Sequence, residues 1–65
     1  MREVTDIEIW RAANQLIQRF QDPEMEAAQR ADAAYVAGDM DNFDLWRRIN
    51  SAVIKLLQPP PGQPN

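Results

Sequence analysis

The chain has 65 residues, contains neither Cys nor His, and carries a net charge of −3. That length holds one small domain with a modest core, and it must be stabilised by close packing or association, since no disulfide or thiolate-bound metal is available. The lack of His removes the commonest acid–base residue, and no apolar run reaches the roughly 18 residues of a membrane span.

Thr5-Asp6-Ile7-Glu8 has the form of a capping box, with Thr5 as N-cap and Glu8 at N3. Val4 and Ile9 stand at the two positions of a hydrophobic staple, so both signals start a first helix near Asp6, running to about Gln21. Its apolar stripe is Ile9, Trp10, Ala13, Leu16, Ile17 and Phe20, at the spacing of one buried helical face.

Asp22-Pro23-Glu24 breaks the chain and restarts it. Asp22 suits an N-cap, Pro23 the first helical position, and Glu24 the positive end of the helix dipole. The second helix is predicted over residues 23–37, burying Met25, Ala27, Ala28, Ala31, Ala34 and Tyr35 as a thin element between its neighbours. Gly38 is the expected residue just past its C-terminus.

Asp39 or Asp41 then caps a third helix over about residues 40–58. Its stripe is Phe43, Trp46, Ile49, Val53, Leu56 and Leu57, with Arg47, Arg48, Ser51 and Lys55 facing out. Pro59-Pro60-Pro61 ends it, and residues 59–65 read as a disordered, polyproline-like tail. The predicted fold is all-α: a three-helix bundle within residues 1–58, packed around Trp10 and Trp46.

The outer helices echo each other. Ile7-Glu8-Ile9-Trp10-Arg11 matches Phe43-Asp44-Leu45-Trp46-Arg47, and Asn14 matches Asn50, at a constant offset of 36 residues. That is about ten helical turns, so both Trp fall on equivalent sides. Duplication and convergence on one packing solution both explain the echo.

Charge is unevenly distributed. Residues 22–44 hold seven acids against Arg30 alone, residues 45–65 hold only Arg47, Arg48 and Lys55, and residues 1–21 are balanced. An acidic middle repels nucleic acid and anionic membrane and leaves one basic strip near the end.

Sites of chemistry are sparse. The run Asp39-Met40-Asp41-Asn42-Phe43-Asp44 departs from a calcium loop, with Phe43 at the fifth position, Asp44 at the Gly position and Asn50 in place of the final Glu. A helix-turn-helix centred on Gly38 would bury Asp39, Asp44 and Arg47 and present acids to phosphate. Ser51 has no base that the sequence identifies, so no catalytic residue, metal or cofactor is expected. Asn14, Asn50 and Asp32 border the stripes, which fits either simple exposure at the boundary or a role in helix register or pairing with Arg11 or Arg30. Ile7, Val36, Leu45 and Ile54 lie off the stripes. Together with Arg47, Arg48 and Lys55 they are the candidate interaction surface.

The segments Glu8-Ile9-Trp10-Arg11-Ala12-Ala13-Asn14, Arg30-Ala31-Asp32, Gly38-Asp39 and Trp46-Arg47-Arg48-Ile49 together resemble a family of short, uncharacterised bacterial helical proteins with paired Trp-Arg motifs, a domain of unknown function. The resemblance spans Asp6 to Leu57 and departs at Asp22-Pro23-Glu24-Met25, where a Gly-containing turn is expected. It implies a helical architecture and supplies no active site.

The functional expectation is a non-enzymatic, cytoplasmic protein–protein interaction module acting through helical surfaces, with a homodimer among its plausible states. The alternative is a nucleic-acid-associated regulator using the Arg47/Arg48/Lys55 strip.

Overall fold

The computed structural model describes residues 5–58, which form three helices and no strand. They are α1 (Asp6–Arg19), α2 (Pro23–Val36) and α3 (Met40–Leu57). The expected staple partner Val4 and the expected tail, residues 59–65, lie outside the described residues.

Each helix begins where a side chain can satisfy an orphan backbone donor. The Thr5 hydroxyl accepts from the Glu8 amide at 3.3 Å, the Asp22 carboxylate from the Met25 amide at 3.2 Å, and the Asp39 carboxylate from the Asn42 amide at 3.3 Å. The other Asp39 oxygen accepts from Asn42 Nδ2 at 2.7 Å. Asp39, the first acid of the run at the start of α3, is thus engaged in capping.

The helices stop one or two residues earlier than the sequence pattern predicts. Phe20 is already extended, and Asp22 precedes a proline, which disfavours helical backbone at that position. Gln58, preceding Pro59, is extended for the same reason.

Gly38 takes φ +76° between α2 and α3. The Asp39 amide donates to the Ala34 carbonyl at 2.9 Å and the Gly38 amide to the Tyr35 carbonyl at 3.0 Å, the paired bonds of a Schellman motif. No atom would meet a Cβ at Gly38, so only backbone strain opposes substitution. Gly38→Ala is expected to lower stability by about 1–2 kcal/mol in urea denaturation, the usual cost of left-handed backbone outside glycine. An unchanged midpoint would show that the turn relaxes to another conformation.

α3 is the central element and packs against both α1 and α2, whereas α1 and α2 touch each other little. The core is Ile9, Ala13 and Leu16 of α1, Ala27 of α2, and Ile49, Ala52 and Val53 of α3, with Ala12, Ile17, Leu45 and Trp46 packed against it. Ala31 of α2 is also buried. The echo accounts for much of this interior. Ile9 and Leu45, Ala13 and Ile49, Leu16 and Ala52, Ile17 and Val53 are all 36 residues apart and all belong to the core or pack on it. At two of these pairs, Ala13/Ile49 and Leu16/Ala52, small and large side chains exchange places, so the two helices use one face to fill the interior differently.

Several sequence expectations are corrected. Trp10 and Trp46 are not the centre of the core: Trp10 is 38% exposed and Trp46 is half-buried at its edge. Met25 and Tyr35, expected inside, are exposed at 53% and 62%. Ala28 is exposed, and so are Phe20, Leu56 and Leu57. Alanine on nearly every side of α2 blurs its period, so its inward face could not be read from spacing. The inward positions Ala27 and Ala31 admit close approach to α3.

Arg30 clasps the three helices together. Its Cζ lies 5.0 Å from the ring centroid of Trp46 on α3 and 6.0 Å from that of Phe20 just past α1. Its Nε donates to Glu26 Oε2 at 2.7 Å, one turn earlier on α2. The acid that Arg30 pairs with is thus Glu26 and not Asp32.

Asn14 and Asp32 are exposed, while Asn50 is half-buried and its Oδ1 is fully shielded with no hydrogen-bond partner. An unsatisfied buried carbonyl costs about 1–3 kcal/mol. Asn50→Leu is accordingly expected to raise the denaturation midpoint by the equivalent of about 1 kcal/mol. A lowered midpoint would mean that Asn50 is satisfied by ordered water.

Candidate functional site: a trough between α1 and α3

The N-terminal half of α1 and the C-terminal half of α3 leave an open trough of about 340 Å³ between them. Buried Ile9 and Ala52 form its floor, the half-exposed indole of Trp10 one wall, and Arg48, Ser51 and Lys55 the other, with Asp6 at one end. A second depression of about 320 Å³ continues along α3 and is lined by Asp44, Arg47, Arg48 and Ser51. Arg48 and Ser51 belong to both, so the two form one continuous surface.

The helical period puts these groups in line. Asp44, Arg48, Ser51 and Lys55 are spaced by four, three and four residues, which places them on one narrow stripe of α3. On α1, Asp6 and Trp10 are one turn apart, on the edge of the helix nearest that stripe.

The trough combines two kinds of recognition. The Trp10 face and its apolar floor take an aliphatic or aromatic side chain, and the indole N–H can donate a hydrogen bond. The guanidinium of Arg48 and the ammonium of Lys55 favour carboxylates. Asp44, Arg48 and Lys55 form no ion pair with any described residue, so their charges are available to a partner.

Of the candidate surface residues, Arg48 and Lys55 line the trough, and Arg47 lines its extension while its Cζ stands 5.5 Å from the centroid of the Phe43 ring. Ile7 is 64% exposed one turn before Trp10 and is not among the trough-lining residues. Leu45 packs on the core instead, and Ile54 is half-buried. Val36 is 86% exposed at the end of α2 and is not among the trough-lining residues. Tyr35 and Phe43 pair at 5.4 Å between centroids beside Val36, forming a separate aromatic corner.

Sequence reasoning missed Trp10 as a site residue because it lies within the apolar stripe, and missed Ser51 because it stood alone. The available signal was the spacing that places Ser51 between Arg48 and Lys55. No family model, curated protein or solved structure matches the chain.

Proposed function

We propose that this chain is a small non-enzymatic interaction module that docks a protein segment in the α1–α3 trough. The observation that carries the reading is the half-exposed Trp10, which lines one depression with buried Ile9 and Ala52 and with Arg48 and Lys55, cations that form no ion pair with any described residue. Tryptophan and arginine are the residue types most enriched at binding hot spots, and this pair shares one depression. Further support comes from the thin core: of eight buried hydrophobic residues among those described, four are alanine, while nine large apolar residues stay exposed. Association adds burial that so short a chain lacks.

No helix of the described residues is long and apolar enough to cross a membrane. A cytoplasmic setting accords with the absence of Cys. Membership in the resembled family of helical bacterial proteins rests on the paired Trp-Arg motifs and belongs to the same proposal.

The nucleic-acid alternative draws on Arg47, Arg48 and Lys55 lining one surface. Asp6 and Asp44 line that surface too and repel phosphate, which favours a protein partner. The test is affinity capture from lysate of the native host, with and without nuclease, comparing wild type with Trp10→Asp and Arg48→Glu. Partners that survive nuclease and are lost with either variant support the reading. Partners lost only on nuclease treatment move it to nucleic acid.

A further inference from the structure

The four polar residues of the trough stripe are placed symmetrically about one point of α3, with an acid and a base at its two ends. Asp44 and Lys55 are placed symmetrically about the Ile49–Asn50 peptide bond, and so are Arg48 and Ser51. All four are exposed, and all four line the continuous depression along α3.

A two-fold interface brings each residue of one copy against its symmetry counterpart, so it requires a self-complementary patch. Resting on the docking reading above, we propose that the occupant of the trough is a second copy of this chain, with the two α3 helices antiparallel across it. In that register Asp44 faces the partner's Lys55, and Arg48 faces the partner's Ser51. Each copy thus forms two acid–base pairs in total across the interface and two contacts from guanidinium to hydroxyl.

The spacing of four, three and four residues is that of a helix–helix seam. Ser51 and Arg48 lie equally near the axis, where the small Ser51 leaves room for the partner's Arg48 side chain. Trp10, on α1 beside the seam, is covered from the flank by the partner and loses its contact with water. Arg47, engaged with Phe43 on the α2 side of α3, stands outside the seam.

The same stripe argues against a head-to-tail arrangement. A strip carrying one sign of charge would need an opposite strip elsewhere on the chain, whereas this one carries an acid, Asp44, and a base, Lys55, at symmetry-related ends. The seam is mainly polar, so the dimer is weak and sensitive to salt.

The test is sedimentation velocity on the full chain from about 10 µM to about 1 mM, where mass action drives a weak dimer. The mass is expected to rise from the 7.5 kDa monomer toward twice that value. Lys55→Asp, which sets acid against acid, is expected to remove the dimer. The double change Asp44→Lys with Lys55→Asp restores the acid–base match and should restore association. Circular dichroism confirms that each variant is folded.

Because the chain has no cysteine, Ser51→Cys introduces a unique thiol in the unaltered charge background. It is expected to form an intermolecular disulfide at least several-fold faster than Gln29→Cys on exposed α2. Association that ignores the charge swaps, or equal rates for the two thiols, overturns the proposal. So does a monomer throughout the range. If the chain stays monomeric while Trp10→Asp still abolishes capture of another protein, only the identity of the occupant is wrong and the docking reading stands. If neither association nor trough-dependent capture is seen, both fall.

Discussion

Ile49→Ala is expected to leave the chain largely unfolded at room temperature, with loss of the helical circular dichroism and of a cooperative urea transition. Ile49 is 3% exposed and shares the core with Ala13, Ala27, Ala52 and Val53. Its alanine neighbours have no atoms to spare, so they cannot close over the void that a shortened side chain leaves. Truncation of this kind costs about 2–5 kcal/mol, against a total of about 3–10 kcal/mol for a domain of this length. The core is thin, so the lower end of that total applies. A variant within about 1 kcal/mol of wild type would show that the stabilising contacts lie elsewhere.

Substituting the two tryptophans is expected to give unequal results despite their equivalent places in the echo. Trp46→Ala removes a half-buried ring packed on the core and takes away the surface over which Arg30 sits, at a cost of about 3–5 kcal/mol. Trp10→Ala removes a more exposed ring at the trough wall. It should cost no more than about 2 kcal/mol and leave a folded chain that has lost association. Urea denaturation together with sedimentation reads both effects. Equal destabilisation would place Trp10 in the core and remove the trough as a binding surface.

The contrast marks how far the sequence could be read. Thr5, Asp22, Asp39 and Gly38 announce the helix ends through local hydrogen bonding and backbone conformation, which depend on residues three or four positions away. Ile9, Ala13, Leu16, Ile49 and Val53 follow from period alone. Trp10 and Trp46 hold equivalent places in the echo and each precedes an Arg, and what separates them is tertiary: α2 brings Arg30 over one and leaves the other beside an open trough. Phe20, Leu56 and Leu57 lie at the ends of their stripes, where a periodic pattern gives direction but not the reach of the neighbouring helix.

The candidate site was partly legible for the same reason. Arg47, Arg48 and Lys55 could be identified as an outward strip, because charge at helical spacing on the wet face is a local property. Joining Arg48, Ser51 and Lys55 to Trp10 requires the packing of α1 on α3, which sequence spacing does not encode. Leu45 shows the converse. It lies off the idealised stripe, yet it packs on the core because α3 buries a face broad enough to meet both other helices.

The most direct test of the account is fluorine NMR of the chain labelled with 5-fluorotryptophan, assigned with Trp10→Phe and followed over protein concentration in light and heavy water. At low concentration the Trp10 resonance should show the larger solvent isotope shift. As concentration rises that shift should shrink and the line should move, while the Trp46 line stays in place. Two lines equally shielded from solvent and unmoved by concentration would contradict the account, since Trp10 would then be interior and the trough would have no exposed aromatic wall to cover.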